Sequence, residues 1–249
     1  MDILFDRFRT LSLDDAAKIH EYTVDVLTQA GIWVEDDKAR DIFKKQGAKV
    51  EGEKVYITEK MIDFALENAP ETFEIKAMDP KNTKVFGGED CIFAPAGGAV
   101  TICERDGIRR DPTIKDVNDF SKLVHCLDAI GLNRPAVHPA DVDPLKKFLH
   151  ITLSDYKYND KIYQLRQGTL DMLCMIYGIT REKMKEDGEK GIHYGYTTTN
   201  PVSPLELSTA ATDTILFLAE YGIPNIIAPM PIGGISAPAT VEATILMQN

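Results

Sequence analysis

The sequence predicts an α/β protein in which repeated strand and helix units follow an N-terminal α+β extension. Candidate strands start about thirty residues apart beyond residue 130, which is the length of one βαβ unit, and helical periodicity fills the gaps between them. Two loops rich in Pro and Gly, at residues 197–204 and 229–240, follow two of these strands. In a (β/α) fold such loops meet at one face, where the chemistry of these folds is found.

Residues 1–112 form the predicted extension. Residues 12–15 read Ser-Leu-Asp-Asp, a capping box, and apolar residues then recur at helical spacing up to Gly31. Short β runs alternate with turn signals between residues 73 and 110, which predicts a small β subdomain. Between these parts we predict a second helix from Glu35 to Gly47, a hairpin over 50–55 and a third helix over 58–69.

Residues 113–249 form the predicted β/α part, with four units. A second capping box, Thr-Ile-Lys-Asp at residues 113–116, begins a helix that runs to about residue 128. The predicted strands cover residues 132–137, 161–165, 192–197 and 225–229. The predicted helices cover residues 144–154, 169–177 with a further turn at 180–189, and 204–221.

Four such units fit either an open doubly wound sheet or a (β/α)8 barrel. A barrel of eight units takes about 250 residues for itself, and this chain ends within an apolar helical run at residues 239–247. Half a barrel leaves two unpaired sheet edges, which folded proteins avoid. The barrel interpretation therefore predicts that the sequence is the first half of a longer protein, a fragment or a truncated product.

The composition argues against several classes of function. A net charge of -11 without clusters of Lys and Arg argues against a nucleic-acid partner. The four cysteines are far apart and form no C-x-x-C pair, so they are predicted to be reduced thiols and not zinc ligands. A leader sequence and an apolar run of about 20 residues are both missing, so we expect a cytoplasmic protein without a membrane helix.

The two loops admit three interpretations. Gly233-Gly234 is weak evidence for a phosphate-binding loop, because neither G-x-G-x-x-G nor G-x-x-x-x-G-K-[ST] occurs in the sequence. As a nucleophile site, the loops lack a G-x-S-x-G elbow around Ser203 or Ser236. In the third, Pro and Gly shape ordinary βα turns, and either serine caps the helix that follows.

Two tyrosines on the strand before the first loop add a further possibility. Because strand residues alternate, Tyr194 and Tyr196 are predicted to share one face. If that face is the barrel interior, the two rings line an uncharged pocket at the end of the barrel. Such a pocket is suited to bind a methylated ammonium group through cation–π contact. The alternative is that both rings pack between sheet and helices.

Several motifs resemble the trimethylamine methyltransferase family over nearly the whole chain. They are Gln-Ala-Gly-Ile-Trp-Val-Glu-Asp at 29–36, Phe-Ala-Pro-Ala-Gly-Gly-Ala at 93–99, Asn-Pro-Val-Ser-Pro-Leu at 200–205, and Ala-Pro-Met-Pro-Ile-Gly-Gly-Ile-Ser-Ala-Pro-Ala-Thr at 228–240. The last motif is the most specific of the four.

The resemblance implies a TIM barrel with an N-terminal extension. It also implies transfer of a methyl group from a methylamine, or from a quaternary amine such as a betaine, to the cobalt of a cognate corrinoid protein in methanogenic or acetogenic one-carbon metabolism. The corrinoid would come from that partner protein, with no tightly bound cofactor in this chain, and we expect a homo-oligomer. Some family members carry pyrrolysine in a later part of the barrel than this sequence reaches.

Nine residues are candidates for the site, without an assigned catalytic residue or metal ligand. Position within the motifs predicts Tyr194, Tyr196 and Asn200 for substrate contact, and Met230, Gly233 and Gly234 for close approach by substrate or corrinoid. His138, Gln164 and Arg166, at the ends of the first two strands, form a second set. For a betaine, Arg166 is a candidate partner of the carboxylate, with a surface ion pair as its alternative role.

Two other functions stay open at this point. One is a protein that binds a methylated amine without transferring the methyl group, which includes an inactive fragment. The other is an unrelated TIM-barrel hydrolase or lyase. Methyl transfer to added cob(I)alamin would exclude a protein that only binds the amine. Release of a metal ion, or a titrating catalytic base, would indicate a hydrolase or lyase.

Overall fold

The computed structural model describes residues 12–88, 91–232, 236–237 and 239–241. The chain divides into two compact units, which we describe separately. The first unit comprises residues 1–69, 200–213 and 227–249, and the second comprises residues 70–199 and 214–226. The boundary predicted at residue 112 falls inside the second unit, and a division there stays a prediction. None of the helices in the described part of the chain is both long and apolar enough to span a membrane.

The first helix of the first unit begins at its predicted capping box, and the helical run that follows ends at Gly31 as predicted. Ser12 and Asp15 form both bonds of the capping box, and Gly31, at φ +71°, ends the π-helical turn Val26–Ala30 that follows the first helix. A Cβ at Gly31 would lie 2.7 Å from the carbonyl oxygen of Val55, so a larger residue does not fit there. The helices are α1 Leu13–Asp25, α2 Asp37–Lys45 and α3 Glu59–Asn68.

A four-stranded sheet completes the first unit, with its strands in the order 206–207, 32–34, 54–56 and 49–51. The predicted hairpin is present as an antiparallel pair in which Val50 lies opposite Val55. Val34, Ala39, Ala48 and Val55 form the buried core between this sheet and its helices. The strands are β1 Ile32–Val34, β2 Lys49–Glu51, β3 Lys54–Tyr56 and β12 Glu206–Leu207.

The helix predicted over residues 204–221 starts later than expected. It runs over Thr209–Glu220, because the residues before it, Glu206 and Leu207, pair in parallel with β1. The backbone N–H of Thr209 donates to the carboxylate of Glu35 at 2.8 Å, and the N–H of Ala211 donates to Ser208 Oγ at 3.3 Å. Ser203 therefore does not cap this helix, which we call α8.

The second unit contains the other elements, in a mixed α/β arrangement. Its helices are α4 Ile114–Cys126, α5 Lys147–Tyr158, α6 Leu170–Tyr177 and α7 Arg181–Gly188, with 3-10 turns at Pro80–Asn82 and Gln167–Thr169. Its short strands are β4 Thr72–Ile75, β5 Lys84–Gly87, β6 Ile102–Cys103, β7 Arg109–Arg110, β8 Leu132–Asn133, β9 Ile162–Tyr163, β10 Ile192–His193 and β11 Thr197–Thr199, and β13 is Asn225–Ile227.

The predicted βαβ strands lie side by side in chain order. β8 pairs with β9 in parallel, with Leu132 opposite Ile162, and the next pairing, Gln164 opposite Tyr196, is also parallel. β11 is then paired with β13. This order is the one that successive βαβ units produce. The α/β class is confirmed, but the described strands do not close into a barrel, so the (β/α)8 barrel truncated after four units stays a prediction.

The strand predicted over residues 192–197 is two strands. β10 pairs in parallel with β4, where Ile192 lies opposite Glu74, and the backbone then bends at Tyr194 before β11. A Cβ at Gly195 would lie 3.1 Å from the carbonyl oxygen of Tyr163, so the bend is packed closely against β9. The break interrupts the alternation on which the prediction for Tyr194 and Tyr196 depended.

The bend separates the two tyrosines into different clusters. Tyr196 is buried with Ile75, Ala77, Leu132 and Ile162, whose side chains lie on one side of the β8 and β9 strands. Tyr194 is buried on the other side with residues of α6, α7 and α8 and of the segments that follow β9 and α8: Leu165, Leu170, Leu173, Cys174, Met184, Leu218 and Ile223. The shared face predicted for Tyr194 and Tyr196 is therefore wrong.

The start of α4 provides a test of how much capping contributes to the stability of this fold. Thr113 and Asp116 form both bonds of a capping box, whereas Thr58, the N-cap of α3, makes no side-chain capping bond. We expect Thr113→Ala to lower the free energy of unfolding by about 1 kcal/mol. We expect Thr58→Ala to lower it by less than about 0.5 kcal/mol. Equal losses in denaturant titrations of the two variants would contradict this assignment.

Candidate functional site

Polar side chains extend from one side of β8 and β9 in the second unit, just beyond the apolar cluster of Leu132, Ile162 and Tyr196. Side chains alternate along a strand, so Arg134 continues the side of Leu132, and Gln164 and Arg166 continue the side of Ile162. Tyr196 pairs directly with Gln164, and paired residues in a sheet project to the same side. Three segments that are distant in sequence therefore direct polar groups to one place.

Most of these polar groups have a buried atom without a hydrogen-bond partner. Among the described residues ten buried side-chain nitrogen or oxygen atoms lack a partner, and six of them belong to this region. Buried polar groups are normally satisfied, so such a concentration marks a place where a ligand or bound water completes the bonding. We call these residues the polar cluster: Arg134, His138, Asp155, Gln164, Arg166 and Tyr196.

The loop at residues 93–99 holds Arg134 in position. It runs beside β8 as a parallel partner, with Phe93 opposite Ile130 and Ala99 opposite Val137. The N–H groups of Gly98 and Ala99 donate to the carbonyl oxygens of Pro135 and Ala136, both at 3.0 Å. A Cβ at Gly97 would lie 2.4 Å from Nε of Arg134, so the backbone at Gly97 packs directly against the guanidinium.

Arg166 is positioned by an aromatic ring of α5. Its guanidinium carbon lies 5.1 Å from the ring centroid of Phe148, a cation–π distance. His138 meets the same ring edge-on, with 6.0 Å between centroids. Burial, and then the charge of Arg166, lower the pKa of His138, so its neutral imidazole is favoured. Burial likewise lowers the pKa of Arg166, because a charged guanidinium is less stable away from water.

Asp155 lies on the helix side of the strands, behind the polar face. It is a buried residue of α5, and its Oδ2 has no hydrogen-bond partner. Burial raises the pKa of Asp155 to about 7, although polar contacts with Asn133 and Ser121 and the charge of Arg166 oppose the shift. The carboxyl therefore changes charge near neutral pH, close to Arg166.

Tyr196 completes the cluster with a hydroxyl group that has no partner. Burial raises the pKa of Tyr196 to about 12, against the opposing charges of Arg134 and Arg166. The phenol thus stays protonated near neutral pH and is available as a hydrogen-bond donor. Its neighbour on β9, Tyr163, is in contrast satisfied by Thr152, with 2.6 Å between the two hydroxyl oxygens.

Four of the nine predicted site residues come together in this cluster: His138, Gln164, Arg166 and Tyr196. Tyr194 lies elsewhere, because its hydroxyl donates to Asp187 at 2.6 Å and its ring packs edge-on to Tyr177 in the helix-side cluster. This packing gives no support to a substrate contact by Tyr194.

Two predicted residues meet in the first unit. The side-chain amide of Asn200 lies 3.0 Å from the sulfur of Met230. This contact joins the loop at residues 197–204 to the loop at residues 229–240. Met230 is exposed, with 65% of its surface accessible. Gly233 and Gly234 lie outside the described residues.

Three residues of the candidate site were not predicted from the sequence: Arg134, Phe148 and Asp155. The signal for Arg134 was present, because it stands two residues after Leu132 and alternation places it beside Ile162 and Gln164. The other two lie on α5, where only the packing of the helix against the strands shows which side chains face the site.

The arrangement favours binding by charge and hydrogen bonds. In the described part of the chain, no group of three or more His, Cys, Asp or Glu side chains is placed to hold a metal ion. The polar cluster instead offers two guanidinium groups, a phenol, an amide and a neutral imidazole. Such a set can orient a small ligand that has at least one hydrogen-bond acceptor.

The buried carboxyl of Asp155 leads to a testable pH dependence. Its pKa in the folded protein, about 7, lies above the ordinary value of 3.8, so the folded state binds more protons than the unfolded state between these values. The contribution of protonated Asp155 to the free energy of unfolding is thus fully present below about pH 4 and is lost as the pH rises to about 7. We expect Asp155→Asn to gain stability relative to the wild type over that range, by up to about 1.4 kcal/mol for each pH unit.

The measurement is chemical denaturation of both proteins from pH 4 to pH 8. Asp63→Asn, at an exposed position of α3, controls for the general loss of one negative charge. A stability difference between Asp155→Asn and wild type that stays constant with pH would contradict the buried, proton-binding state of Asp155.

Comparison with known proteins agrees with the predicted family. A family model described as trimethylamine methyltransferase (MTTB) matches residues 4–249. The glycine betaine methyltransferase of Desulfitobacterium hafniense is 29% identical over 257 residues, covering 100% of this chain and 52% of that protein. The trimethylamine methyltransferase MttB of Methanosarcina barkeri is 29% identical over 255 residues, covering 95% and 50%. The L-carnitine:corrinoid methyltransferase of Eubacterium limosum is 27% identical, covering 94% and 50%.

Solved structures show the same fold. The monomethylamine methyltransferase MtmB of Methanosarcina barkeri matches with a TM-score of 0.60 at 14% identity, over 95% of this chain and 49% of that one. A hydroxylamine complex of MtmB matches with a TM-score of 0.62 at 13% identity. At these identities the likeness concerns the fold alone.

The chain spans about half the length of the curated relatives it matches, which agrees with the prediction that it corresponds to half of such a protein. Because the family model covers residues 4–249 of a chain of 249, this protein belongs to the trimethylamine methyltransferase family.

Proposed function

We propose that the protein containing this chain transfers a methyl group from a methylated amine to the cobalt of a cognate corrinoid protein. The observation that carries the proposal is the polar cluster, a set of unsatisfied buried groups that, apart from Asp155, lie on one side of β8 and β9 in a chain of this family. In the proposal this chain supplies the first four units of a (β/α)8 barrel. Arg134, His138, Gln164, Arg166 and Tyr196 then bind and orient the amine.

The reaction needs orientation more than acid or base chemistry. The corrinoid of the partner protein would supply cobalt(I) as the methyl acceptor, and the amine nitrogen would keep the electron pair of the broken N–CH3 bond. A quaternary amine leaves as a neutral amine, so the leaving group needs no proton. A cluster of fixed hydrogen-bond donors is suited to holding such a donor molecule at one angle.

The relatives support this class of reaction. Their names describe methyltransferases acting on glycine betaine, trimethylamine, L-carnitine and proline betaine, and two of those names specify a corrinoid. We therefore propose a corrinoid partner protein as the methyl acceptor and assign no resident cofactor to this chain. Asn200 and Met230, with Gly233 and Gly234, stay candidates for close approach by substrate or corrinoid.

The first test is a methyl-transfer assay with the full-length protein, reduced cob(I)alamin and single methylated amines. We expect the absorption spectrum to change to that of methylcobalamin, with one demethylated amine formed for each methyl group transferred. Amine binding without methylcobalamin would instead indicate a binding protein. Consumption of the amine without a corrinoid would indicate an unrelated hydrolase or lyase.

A matched pair of tyrosine substitutions tests the position of the site. Tyr196→Phe removes a hydroxyl that has no partner in the protein, so we expect KM for the amine to rise roughly two- to tenfold, the value of one hydrogen bond. Tyr194→Phe removes a hydroxyl bonded to Asp187, so it should lower Tm and leave KM within about twofold. A KM effect confined to Tyr194→Phe would place the site on the other side of the strands.

A further inference from the structure

We infer that the exposed side of the sheet in the first unit binds a second copy of this chain, with a two-fold axis at Trp33. The proposed methyl-transfer site does not include this sheet. Three observations point to the interface: a half-exposed aromatic ring, charged groups beside it that form no ion pair, and the order of these groups across the strands.

The two sides of this sheet differ in character. Val34 and Val55 are buried in the core on one side. Because side chains alternate along a strand, Trp33, Lys54 and Tyr56 lie on the other side. Trp33 is exposed over 47% of its surface. Tryptophan is among the residue types enriched at the centres of protein interfaces, so this exposed ring marks a candidate contact surface.

Three residues form a row across the strands, with Trp33 in the middle. Lys54 lies opposite Trp33 on β3, and Glu206 lies opposite it on β12. The Nζ atom of Lys54 lies 6.0 Å from the centroid of the Trp33 ring, so both side chains are on the same side of the sheet. We call Lys54, Trp33 and Glu206 the cross-strand row.

The two charged ends of the cross-strand row are available to a partner. None of the ion pairs among the described residues includes Lys54 or Glu206. On the neighbouring strand β2, Lys49 and Glu51 are instead paired with each other at 2.7 Å. The row therefore offers one positive and one negative group, each one strand away from Trp33.

A two-fold axis at Trp33, parallel to β1, makes the cross-strand row complementary to itself. The rotation reverses the order of the row, so Lys54 of each copy faces Glu206 of the other and the two Trp33 rings meet at the axis. An axis between β1 and β3 would instead place Glu206 opposite Glu51 of the other copy. An axis at β3 would place Lys54 opposite Lys54. Like charges that face each other oppose association, so the order of charges favours the axis at Trp33.

The charge of the chain also favours this face for contact between copies. The chain has a net charge of -11, so two copies repel each other over most of their surface. The exposed side of the sheet carries two positive and two negative groups and has no net charge: Lys49, Lys54, Glu51 and Glu206. Two copies can therefore meet at this face without net repulsion.

The loop at residues 200–205 extends the surface beyond the cross-strand row. A stable contact between copies takes about 800 Å² from each partner, which is more than three side chains supply. Pro204 and Leu205 line a cavity of about 330 Å³ together with the row, and Leu205 is exposed over 44% of its surface. The N–H of Trp33 donates to the carbonyl oxygen of Leu205 at 2.7 Å, which holds the loop beside the row. The motifs at 29–36 and 200–205 thus meet at this surface.

The test is an exchange of charges in the full-length protein, with the mass and the association constant of the oligomer measured by sedimentation velocity. Lys54→Glu and Glu206→Lys each place like charges across the axis, so we expect each variant to weaken association by about tenfold or more and to shift the mass towards half that of the wild type. The double variant that carries both substitutions restores opposite charges across the axis. It should therefore recover the mass of the wild type.

Matched substitutions on α3 control for changes in charge and in exposed aromatic surface. Trp33→Ser should weaken association by about tenfold or more, whereas Phe64→Ser, at a position that is 67% exposed, should leave it unchanged. Lys60→Glu, at another exposed position, should also have no effect. Single charge variants with the mass of the wild type, a double variant with the mass of the single variants, or a wild-type monomer at micromolar concentration would each overturn the inference.

Discussion

The backbone pairing of β9 with its two neighbours is the interaction on which the rest of the site depends. The N–H of Gln164 donates to the carbonyl oxygen of Asn133 at 3.2 Å, and the N–H of Leu165 donates to that of Tyr196 at 2.7 Å. This register places Gln164 beside Tyr196 and Ile162 beside Leu132. A shift of one residue would turn Arg166 towards the helices and Leu165 towards the polar face, because side chains alternate along the strand.

The two sides of these strands consequently have different chemistry. On the helix side Tyr163 bonds to Thr152, Tyr194 bonds to Asp187, and leucines of α6 fill the space, although Oδ2 of Asp155 has no partner there. On the other side an apolar base is followed by polar atoms without partners. The first arrangement provides stability, and the second keeps hydrogen-bonding capacity for a ligand at some cost in stability.

Asp155 connects the two sides electrostatically. It is buried among helix residues, yet its charge influences Arg166 and Tyr196 on the opposite side of the strands. A carboxyl with a pKa of about 7 neutralises only part of the positive charge of the cluster near neutral pH. The site can thus keep a net positive charge without two fully unpaired arginines in the protein interior.

The sequence by itself determined the elements whose signals are local. The capping boxes at Ser12 and Thr113, the hairpin and the spacing of the β/α units depend on neighbouring residues, so they could be predicted, and the motifs identified the family. Of the candidate site, His138, Gln164 and Arg166 could be named because they stand at the ends of predicted strands, and Tyr196 because it lies on the strand that leads into the loop at 197–204. Only the tertiary structure decided the rest. The bend at Tyr194 separates Tyr194 from Tyr196, the pairing of β12 with β1 makes α8 start later, and α5 brings Asp155 and Phe148 to the site. Each of these features depends on contacts between residues that are far apart in the chain, and the local periodicity of the sequence does not indicate such contacts.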